Sequence, residues 1–104
     1  MSTIVQLPKE HVENFFASIS DAIVFFHKEL CPHCKNMEKV LEKFSAKHPS
    51  VELYSVDSEA HPELLKKLSI ERVPTLVFIR NGDVIKVHTG LMNPRELKAF
   101  YASL

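Results

Sequence analysis

The stretch FFHKELCPHCKNMEKVLEKF, from Phe25 to Phe44, joins two different residue patterns at a pair of cysteines. Upstream, the run Ala22–His27 is short, continuously apolar and bounded by polar residues, which is typical of a strand buried on both faces. Downstream, apolar residues recur every three or four positions from Cys34 to Phe44, which is the spacing of one helix face. The chain places both of its cysteines, Cys31 and Cys34, at this junction, so the sequence predicts a strand, the cysteines and a helix in that order.

The composition is that of one compact soluble domain. The chain has 104 residues, of which 45% are hydrophobic and 25% are charged, and about 100–150 residues is the commonest domain size. Thirteen Lys and Arg balance thirteen Asp and Glu, so the net charge gives no indication of a nucleic-acid or membrane-surface partner. We therefore expect a single domain over residues 1–104, with no nucleic-acid or membrane partner.

The N-terminal sequence and the cysteine count favour a cytoplasmic protein. No basic segment leads into an apolar signal-like stretch, and no apolar run approaches the ~20 residues that span a bilayer. Two cysteines separated by two residues are too few for a disulfide framework. In a cytosolic protein this spacing is more often redox-active or metal-binding, and both alternatives stay open at this point.

The rest of the chain alternates between helical and strand patterns. Asn81-Gly82 separates two β-rich runs and predicts an antiparallel hairpin, because both residues tolerate positive φ. Asn93, Pro94 and Glu96 supply an N-cap, an N1 proline and an acidic N3 residue for a terminal helix. The predicted order is βαβαβαββα, an α/β domain with a mixed sheet. The other predicted elements are a helix through Val12–Ile19, a strand at Val51–Val56 and a short helix at His61–Leu68.

The spacing of the cysteines predicts different roles for the two sulfurs. If the helix begins at or near Cys31, that sulfur meets unpaired backbone N–H groups and the positive end of the helix dipole, which stabilise a thiolate. Cys31 is therefore predicted to be the nucleophile. Cys34 lies one helical turn further on, within disulfide reach and on the buried stripe, so it is predicted to be the less exposed, resolving thiol.

Pro32 and His33, between the cysteines, suit this chemistry. Proline lacks an N–H and fits the first turn of a helix, while a histidine beside the nucleophile can add charge or a hydrogen bond to the thiolate. Lowering a thiol pKa from ~8.5 to ~7 corresponds to about 2 kcal/mol of preferential stabilisation of the anion. His33 is therefore predicted to tune the sulfur.

A metal site is the main alternative for the cysteines. Zinc and iron–sulfur clusters normally take four protein ligands, whereas the chain supplies two cysteines unless histidines or a second chain contribute. A pair of inert buried thiols is a further interpretation. We expect no metal and no small-molecule cofactor.

The landmarks around the cysteines, taken together and in order, resemble the thioredoxin family over nearly the whole chain. They are the apolar strand before CPHCK, VPT at Val73–Thr75, RNGDV at Arg80–Val84, and Gly90 before the last helix. The resemblance implies a thioredoxin fold, a central mixed sheet flanked by helices, with Pro74 in a cis peptide bond beside the cysteines. An extended substrate peptide could pair with the backbone at Val73. The implied substrate groove consists of Leu30, Pro32, His33, Val73, Pro74, Gly90 and Leu91.

The chain departs from the family pattern in two places that bear on its chemistry. Most thioredoxins have Gly-Pro between the cysteines, whereas Pro32-His33 resembles periplasmic dithiol oxidases and the small desulfothioredoxins of anaerobic bacteria. The family usually buries an aspartate six residues before the nucleophile and pairs it with a lysine on the neighbouring strand. These positions are assigned to Phe25 and Leu53, so the proton acceptor stays open between His33, His27 and water.

The resemblance implies a monomeric protein-disulfide reductase. Cys31 would attack a disulfide of a protein substrate, Cys34 would resolve the mixed disulfide, and a thioredoxin reductase would supply electrons. Because of Pro32-His33, we expect a reduction potential above the ~−270 mV of ordinary thioredoxin. Two alternatives remain: a thioredoxin-fold module that binds a metal or a partner with little redox turnover, and a net dithiol oxidase.

Overall fold

The computed structural model describes residues 4–6 and 20–104, which form a five-stranded mixed sheet and three α-helices. The strand order is β1-β3-β2-β4-β5, with the first three strands parallel and β4 antiparallel to both of its neighbours. The helix predicted through Val12–Ile19 lies outside the described residues. In chain order the elements are β1 Ile4–Gln6, β2 Asp21–His27, α1 Pro32–Lys47, β3 Glu52–Asp57, a 3₁₀ turn Ser58–Ala60, α2 Pro62–Lys67, β4 Thr75–Arg80, β5 Asp83–Thr89 and α3 Pro94–Ala102.

Strand β2 lies at the centre of the sheet and is buried on both faces, as its continuous apolar run predicts. Phe25 packs in one hydrophobic cluster with residues of α1 and α3, and Phe26 packs in another cluster on the opposite face with Leu64 of α2. Helices therefore cover both faces of the strand that leads into the cysteines. This arrangement fixes the point at which the chain leaves the sheet and enters α1.

Helix α1 forms because its apolar residues repeat at helical spacing. Met37 and Leu41 are fully buried against the sheet, and the helix runs without interruption from Pro32 to Lys47. Burial of each such side chain contributes about 1.5–3 kcal/mol to stability. The predicted stripe from Cys34 to Phe44 is therefore confirmed, and it anchors the N-terminal end of the helix against β2.

The hairpin between β4 and β5 confirms the prediction from Asn81-Gly82. Both residues have positive φ, 54° for Asn81 and 80° for Gly82. The Asn81 N–H also donates to the Ser20 carbonyl at 2.6 Å, which ties the turn to the start of β2. The hairpin thereby holds β4, and with it the residues just before Thr75, in a fixed position beside β2.

Candidate active site

The two cysteines form a disulfide at the start of α1. Cys31 is the N-cap residue, with extended backbone, and its Sγ accepts a hydrogen bond from the Cys34 N–H at 3.2 Å. The Cα atoms of the pair are 5.2 Å apart, within the usual range for a disulfide. Cys34 is 4% exposed and Cys31 is 7% exposed, so the predicted order of exposure holds by a small margin in the disulfide form.

The electrostatic surroundings of Cys31 are those of a helix N-terminus without a competing carboxylate. No acidic residue lies in the first turn of α1, and the position after the cap is Pro32. The free N–H groups and the positive end of the helix dipole therefore act on the sulfur rather than on a side-chain oxygen. This arrangement can stabilise negative charge on Cys31 when the disulfide is reduced.

The residue before the cap has an unusual backbone conformation. Leu30 has φ of 56°, in the left-handed region, and its side chain is 97% exposed. An L-residue in this region costs roughly 1–2 kcal/mol relative to right-handed backbone. The turn directs the chain from β2 into α1 and leaves a bare apolar side chain next to Cys31.

Pro32 and His33 lie on the exposed side of the first turn of α1. Pro32 occupies the N1 position, where its missing N–H leaves no donor unpaired. His33 is next to the buried Cys34 in sequence, but its own side chain faces outward. Both residues are therefore exposed between the two cysteines of the disulfide.

A loop from the other half of the chain completes the surroundings of the cysteines. The Val73–Pro74 peptide bond is cis, as the family resemblance implied, and Val73 packs against the hydrophobic cluster that contains both cysteines. The Gly90 N–H donates to the Pro74 carbonyl at 2.9 Å. Gly90 has φ of 110°, which favours glycine, and Leu91 beside it is 45% exposed. The residues of the expected groove thus come from three separate segments of the chain.

A cavity of about 510 Å³ lies beside the disulfide. It is lined by both cysteines and by His27, which is half-buried at the end of β2 with its ring centroid 5.5 Å from that of Phe25. The other lining residues come from β1, β2, β3, the β2–α1 loop and α1, and they are Ile4, Gln6, Phe25, Lys28, Glu29, Leu30, Lys35, Glu38 and Ser55.

The structure places both residues of the assigned pair, Phe25 and Leu53, in one hydrophobic cluster on neighbouring strands. In the register, the β3 residue directly opposite Phe25 is Ser55, and Leu53 lies opposite Ile23. The sequence did not indicate Ser55, because the register of two parallel strands depends on how the connecting helix packs, which no local pattern encodes.

Apart from His27, sequence analysis did not identify the polar residues of the cavity lining as site residues. Glu38 could have been found, because it follows Cys34 by four positions and residues at this spacing share a helix face. Gln6 and Ser55 carried no such signal, since they reach the cavity only through the sheet register.

Among residues 4–6 and 20–104, no group of three or more His, Cys, Asp or Glu side chains has the arrangement needed to hold a metal ion. Over the same residues, no helix is both long enough and apolar enough to cross a membrane.

Comparison with known proteins shows which family has this fold and this pair of cysteines. The family model described as thioredoxin matches residues 3–103. The chain belongs to the thioredoxin family. The family and the fold predicted from the sequence, a mixed sheet flanked by helices, are therefore confirmed.

Individual thioredoxins and a solved structure show the same likeness. The mitochondrial thioredoxin of Mus musculus is 35% identical over 88 residues, covering 84% of this chain and 53% of that protein. The thioredoxin of Chlamydia trachomatis is 32% identical over 87 residues, covering 82% of this chain and 85% of that protein. The chain thus spans about half the length of the mitochondrial thioredoxins that it matches. The solution structure of reduced desulfothioredoxin from Desulfovibrio vulgaris Hildenborough is 64% identical over the whole of both chains, with a TM-score of 0.92.

Proposed function

We propose that the protein is a thiol–disulfide oxidoreductase that reduces disulfides of other proteins through Cys31 and Cys34. The observation that carries this proposal is the position of the Cys31 sulfur at the N-cap of α1, bonded to Cys34 and accepting its N–H. Membership of the thioredoxin family and the likeness to desulfothioredoxin support the same chemistry.

The reaction consists of two thiol–disulfide exchanges. The Cys31 thiolate attacks one sulfur of a substrate disulfide, which forms a mixed disulfide and releases the other substrate sulfur as a thiolate. The Cys34 sulfur then attacks Cys31 and releases the second substrate sulfur. The substrate gains two electrons, and the protein ends with the Cys31–Cys34 disulfide seen in the structure. An external reductant must then reopen that disulfide.

The first exchange depends on the ease with which Cys31 ionises. Backbone N–H groups and the dipole of a 16-residue helix favour the thiolate, and His33 adds a hydrogen-bond donor or a positive charge nearby. Stabilisation of the reduced thiolate makes the disulfide more oxidising, by about 30 mV per 1.4 kcal/mol. We therefore expect a reduction potential above the ~−270 mV of ordinary thioredoxin.

The substrate groove is the surface around the disulfide. A substrate segment would lie over Leu30 and Leu91, whose apolar side chains are exposed, and pair with the backbone at Val73. The hydrogen bond from the Gly90 N–H to the Pro74 carbonyl holds this backbone in place. Together with Pro32 and His33, these residues form the proposed binding site.

The proposed partners follow from the same chemistry. They are disulfide-containing proteins as substrates and a thioredoxin reductase as electron donor. The protein would act as a monomeric single domain in the cytoplasm, where glutathione and reductases keep thiols reduced.

An equilibrium redox titration against glutathione tests the proposal. The fraction of oxidised protein would be measured by mass after the free thiols are alkylated, which suits a chain without tryptophan. We expect one two-electron transition at a potential above ~−270 mV. A potential at or below that value would contradict the role given to Pro32-His33, and no exchange with glutathione at all would contradict the oxidoreductase.

A matched pair of turnover assays separates reduction from net oxidation. One assay follows reduction of a protein disulfide with dithiothreitol as donor, and the other follows oxidation of a dithiol peptide with glutathione disulfide as acceptor. Faster turnover in the first assay supports the reductase. Faster turnover in the second supports the net dithiol oxidase, which the dipeptide Pro32-His33 resembles. Stoichiometric metal in anaerobically purified protein would instead favour the binding module.

A further inference from the structure

The second exchange of the proposed reaction requires Cys34 to lose a proton in a buried position. Cys34 is 4% exposed and belongs to an apolar cluster with Phe25 and Met37. Burial in such surroundings disfavours the thiolate. Its own backbone N–H is directed at the Cys31 sulfur, so it supports the first thiolate rather than the second. A group that accepts the Cys34 proton is therefore needed close to the sulfur.

The cavity beside the disulfide has room for water that could connect the Cys34 sulfur to such a proton acceptor. Its volume of about 510 Å³ far exceeds what one water molecule needs, and Gln6 and Ser55 provide polar atoms in its wall. Cys34 and His27 both line it. His27 is the one imidazole among the described residues of the lining, and it is half-buried on the face of β2 that carries Phe25.

The other charged groups around the cavity are less suited to this task. The ammonium groups of Lys28 and Lys35 donate hydrogen bonds and have no lone pair to offer. Glu29 and Glu38 are exposed to solvent rather than held inside the cavity.

Two further titratable residues are close to His27 or the cysteines without lining the cavity. Asp57 lies opposite His27 in the register with β3, but it is outside the lining and its carboxylate accepts the Glu59 N–H at 3.0 Å. His33 is exposed and lies outside the lining as well. An imidazole, with a pKa of ~6.5 in short peptides, is the group best matched to accept and return a proton near neutrality.

We propose that His27 accepts the proton of Cys34, through water in this cavity, during the resolving step. The inference rests on the proposed exchange reaction. The proton leaves the Cys34 sulfur for His27, and the electron pair left on that sulfur forms the bond to Cys31. The bond between Cys31 and the substrate sulfur breaks, and the leaving thiolate takes its electron pair. His27 then returns the proton to solvent or to the leaving thiolate.

Stopped-flow reaction of the reduced protein with 5,5′-dithiobis(2-nitrobenzoate) separates the two exchanges in one trace. The first phase of thionitrobenzoate release reports attack by Cys31, and the second reports attack by Cys34 on the mixed disulfide. The test variant is His27→Gln, which keeps a polar side chain but does not titrate near neutral pH. The matched control is His61→Gln, because His61 is also half-buried but lies at the start of α2 and makes no side-chain cap hydrogen bond.

For His27→Gln we expect an unchanged first phase and a second phase slowed at least ~10²-fold at pH 7, the lower end of the usual contribution of a general base. The wild-type second phase should level off at a lower pH than that of the variant, which should keep rising with hydroxide. Added imidazole should accelerate the second phase of His27→Gln. His61→Gln should follow the wild type throughout.

A second phase within twofold of wild type in His27→Gln, with the same pH profile, would overturn the proposal. So would a larger loss in Glu38→Gln than in His27→Gln. A first phase as fast as that of the wild type shows that the active-site region of each variant is folded. If His27→Gln does not fold, His27→Asn replaces it in the test. The failure of the oxidoreductase proposal looks different, because the first phase would then be no faster than that of an ordinary thiol.

Discussion

Helices α1 and α3 begin with the same four-residue layout but with different chemistry. Cys31-Pro32-His33-Cys34 and Asn93-Pro94-Arg95-Glu96 each consist of a cap, a proline at N1, a basic residue and a partner of the cap. In α3 the Asn93 side chain accepts the Glu96 N–H at 2.7 Å, and the Glu96 carboxylate accepts the Asn93 N–H at 3.3 Å. In α1 the one such contact is from the Cys34 N–H to the Cys31 sulfur at 3.2 Å.

The residues before the two caps also differ, because the one before α3 is buried and the one before α1 is exposed. Met92, before the cap of α3, and Leu97, four positions into that helix, are both buried in the core and form a hydrophobic staple. Leu30, before the cap of α1, is 97% exposed, and the position equivalent to Leu97 is Lys35. The start of α3 is therefore held by oxygen acceptors and by a buried residue before its cap, whereas α1 has a sulfur cap and an exposed residue before it.

This difference shows how one helix start serves stability and the other reactivity. Carboxylate and amide oxygens are strong acceptors, and in α3 they accept the N–H groups of Asn93 and Glu96. Sulfur is a weak acceptor as a thiol and a better one as a thiolate, so the N–H groups of α1 favour the ionised form of Cys31. The same backbone geometry thus stabilises the fold in one case and the nucleophile in the other.

The largest expected effect comes from replacing the sulfur cap of α1 with an oxygen cap. Cys31→Ser should lower disulfide exchange by at least ~10³-fold because the nucleophile is lost. Serine is a good N-cap, so helix content by circular dichroism should stay unchanged. The measurement is reduction of a protein disulfide with dithiothreitol as donor. As a control, Cys34→Ser should keep the first attack and accumulate the mixed disulfide, and equal loss of that attack would contradict the assigned roles.

The basic residue at the second helical position should affect the alkylation pKa of Cys31 in α1, whereas its counterpart in α3 should not. We expect the apparent pKa for alkylation of Cys31 in the reduced protein to lie below the ~8.5 of a free thiol and to rise in His33→Ala. Burial and the hydrogen bond to Glu52 raise the pKa of Tyr54 to about 12, so that phenol does not titrate in the range measured. The matched control is Arg95→Ala, which should leave the alkylation profile unchanged.

The sign of the linked stability change follows from the direction of this shift. A thiol whose pKa is lower in the folded state contributes stability above its unfolded value of ~8.5, and the contribution is lost as the pH falls through the folded pKa. Reduced wild-type protein should therefore gain unfolding free energy over Cys31→Ser as the pH rises from 6 to 9. An alkylation pKa near ~8.5 in both wild type and His33→Ala would contradict the comparison between the helices.

Loss of the oxygen cap of α3 should affect stability alone. Asn93→Ala removes the acceptor for the Glu96 N–H and should lower the free energy of unfolding by about 1 kcal/mol. Urea unfolding of the oxidised protein measures this change, and Asn93→Asp, which keeps the acceptor, is the control. Exchange activity should stay within twofold of wild type. A large loss of activity in Asn93→Ala would mean that α3 contributes to the reaction.

The smallest expected stability effect is at Leu30. Leu30→Gly relieves a left-handed conformation worth roughly 1–2 kcal/mol but adds about 0.5–1 kcal/mol of backbone entropy, so it should raise the free energy of unfolding by at most ~1.5 kcal/mol. The exposed side chain should instead show its role in turnover. We expect a higher KM for protein disulfides and an unchanged rate with the small reagent 5,5′-dithiobis(2-nitrobenzoate). An unchanged KM would remove Leu30 from the proposed groove.

The sequence predicted those features that depend on residues only a few positions apart. The capping box of α3 depends on Asn93 and Glu96, three positions apart, and the hairpin depends on the adjacent pair Asn81-Gly82. The buried strand before the cysteines follows from one uninterrupted apolar run. The cis bond at Pro74 was reached by a different route, because only the resemblance to the thioredoxin family indicated it.

Among the described residues, the sequence by itself therefore determined the main strands and α-helices, the helix start that carries Cys31 and Cys34, and the family. Their physical causes are turn chemistry, capping and hydrophobic periodicity, which act between residues a few positions apart. Only the tertiary structure decided which residues surround the sulfurs. Ser55 lies directly opposite Phe25, and His27 shares a cavity with Cys34, because strand register and helix packing bring distant segments together. Those contacts depend on how the whole core packs, and no short stretch of sequence contains that information.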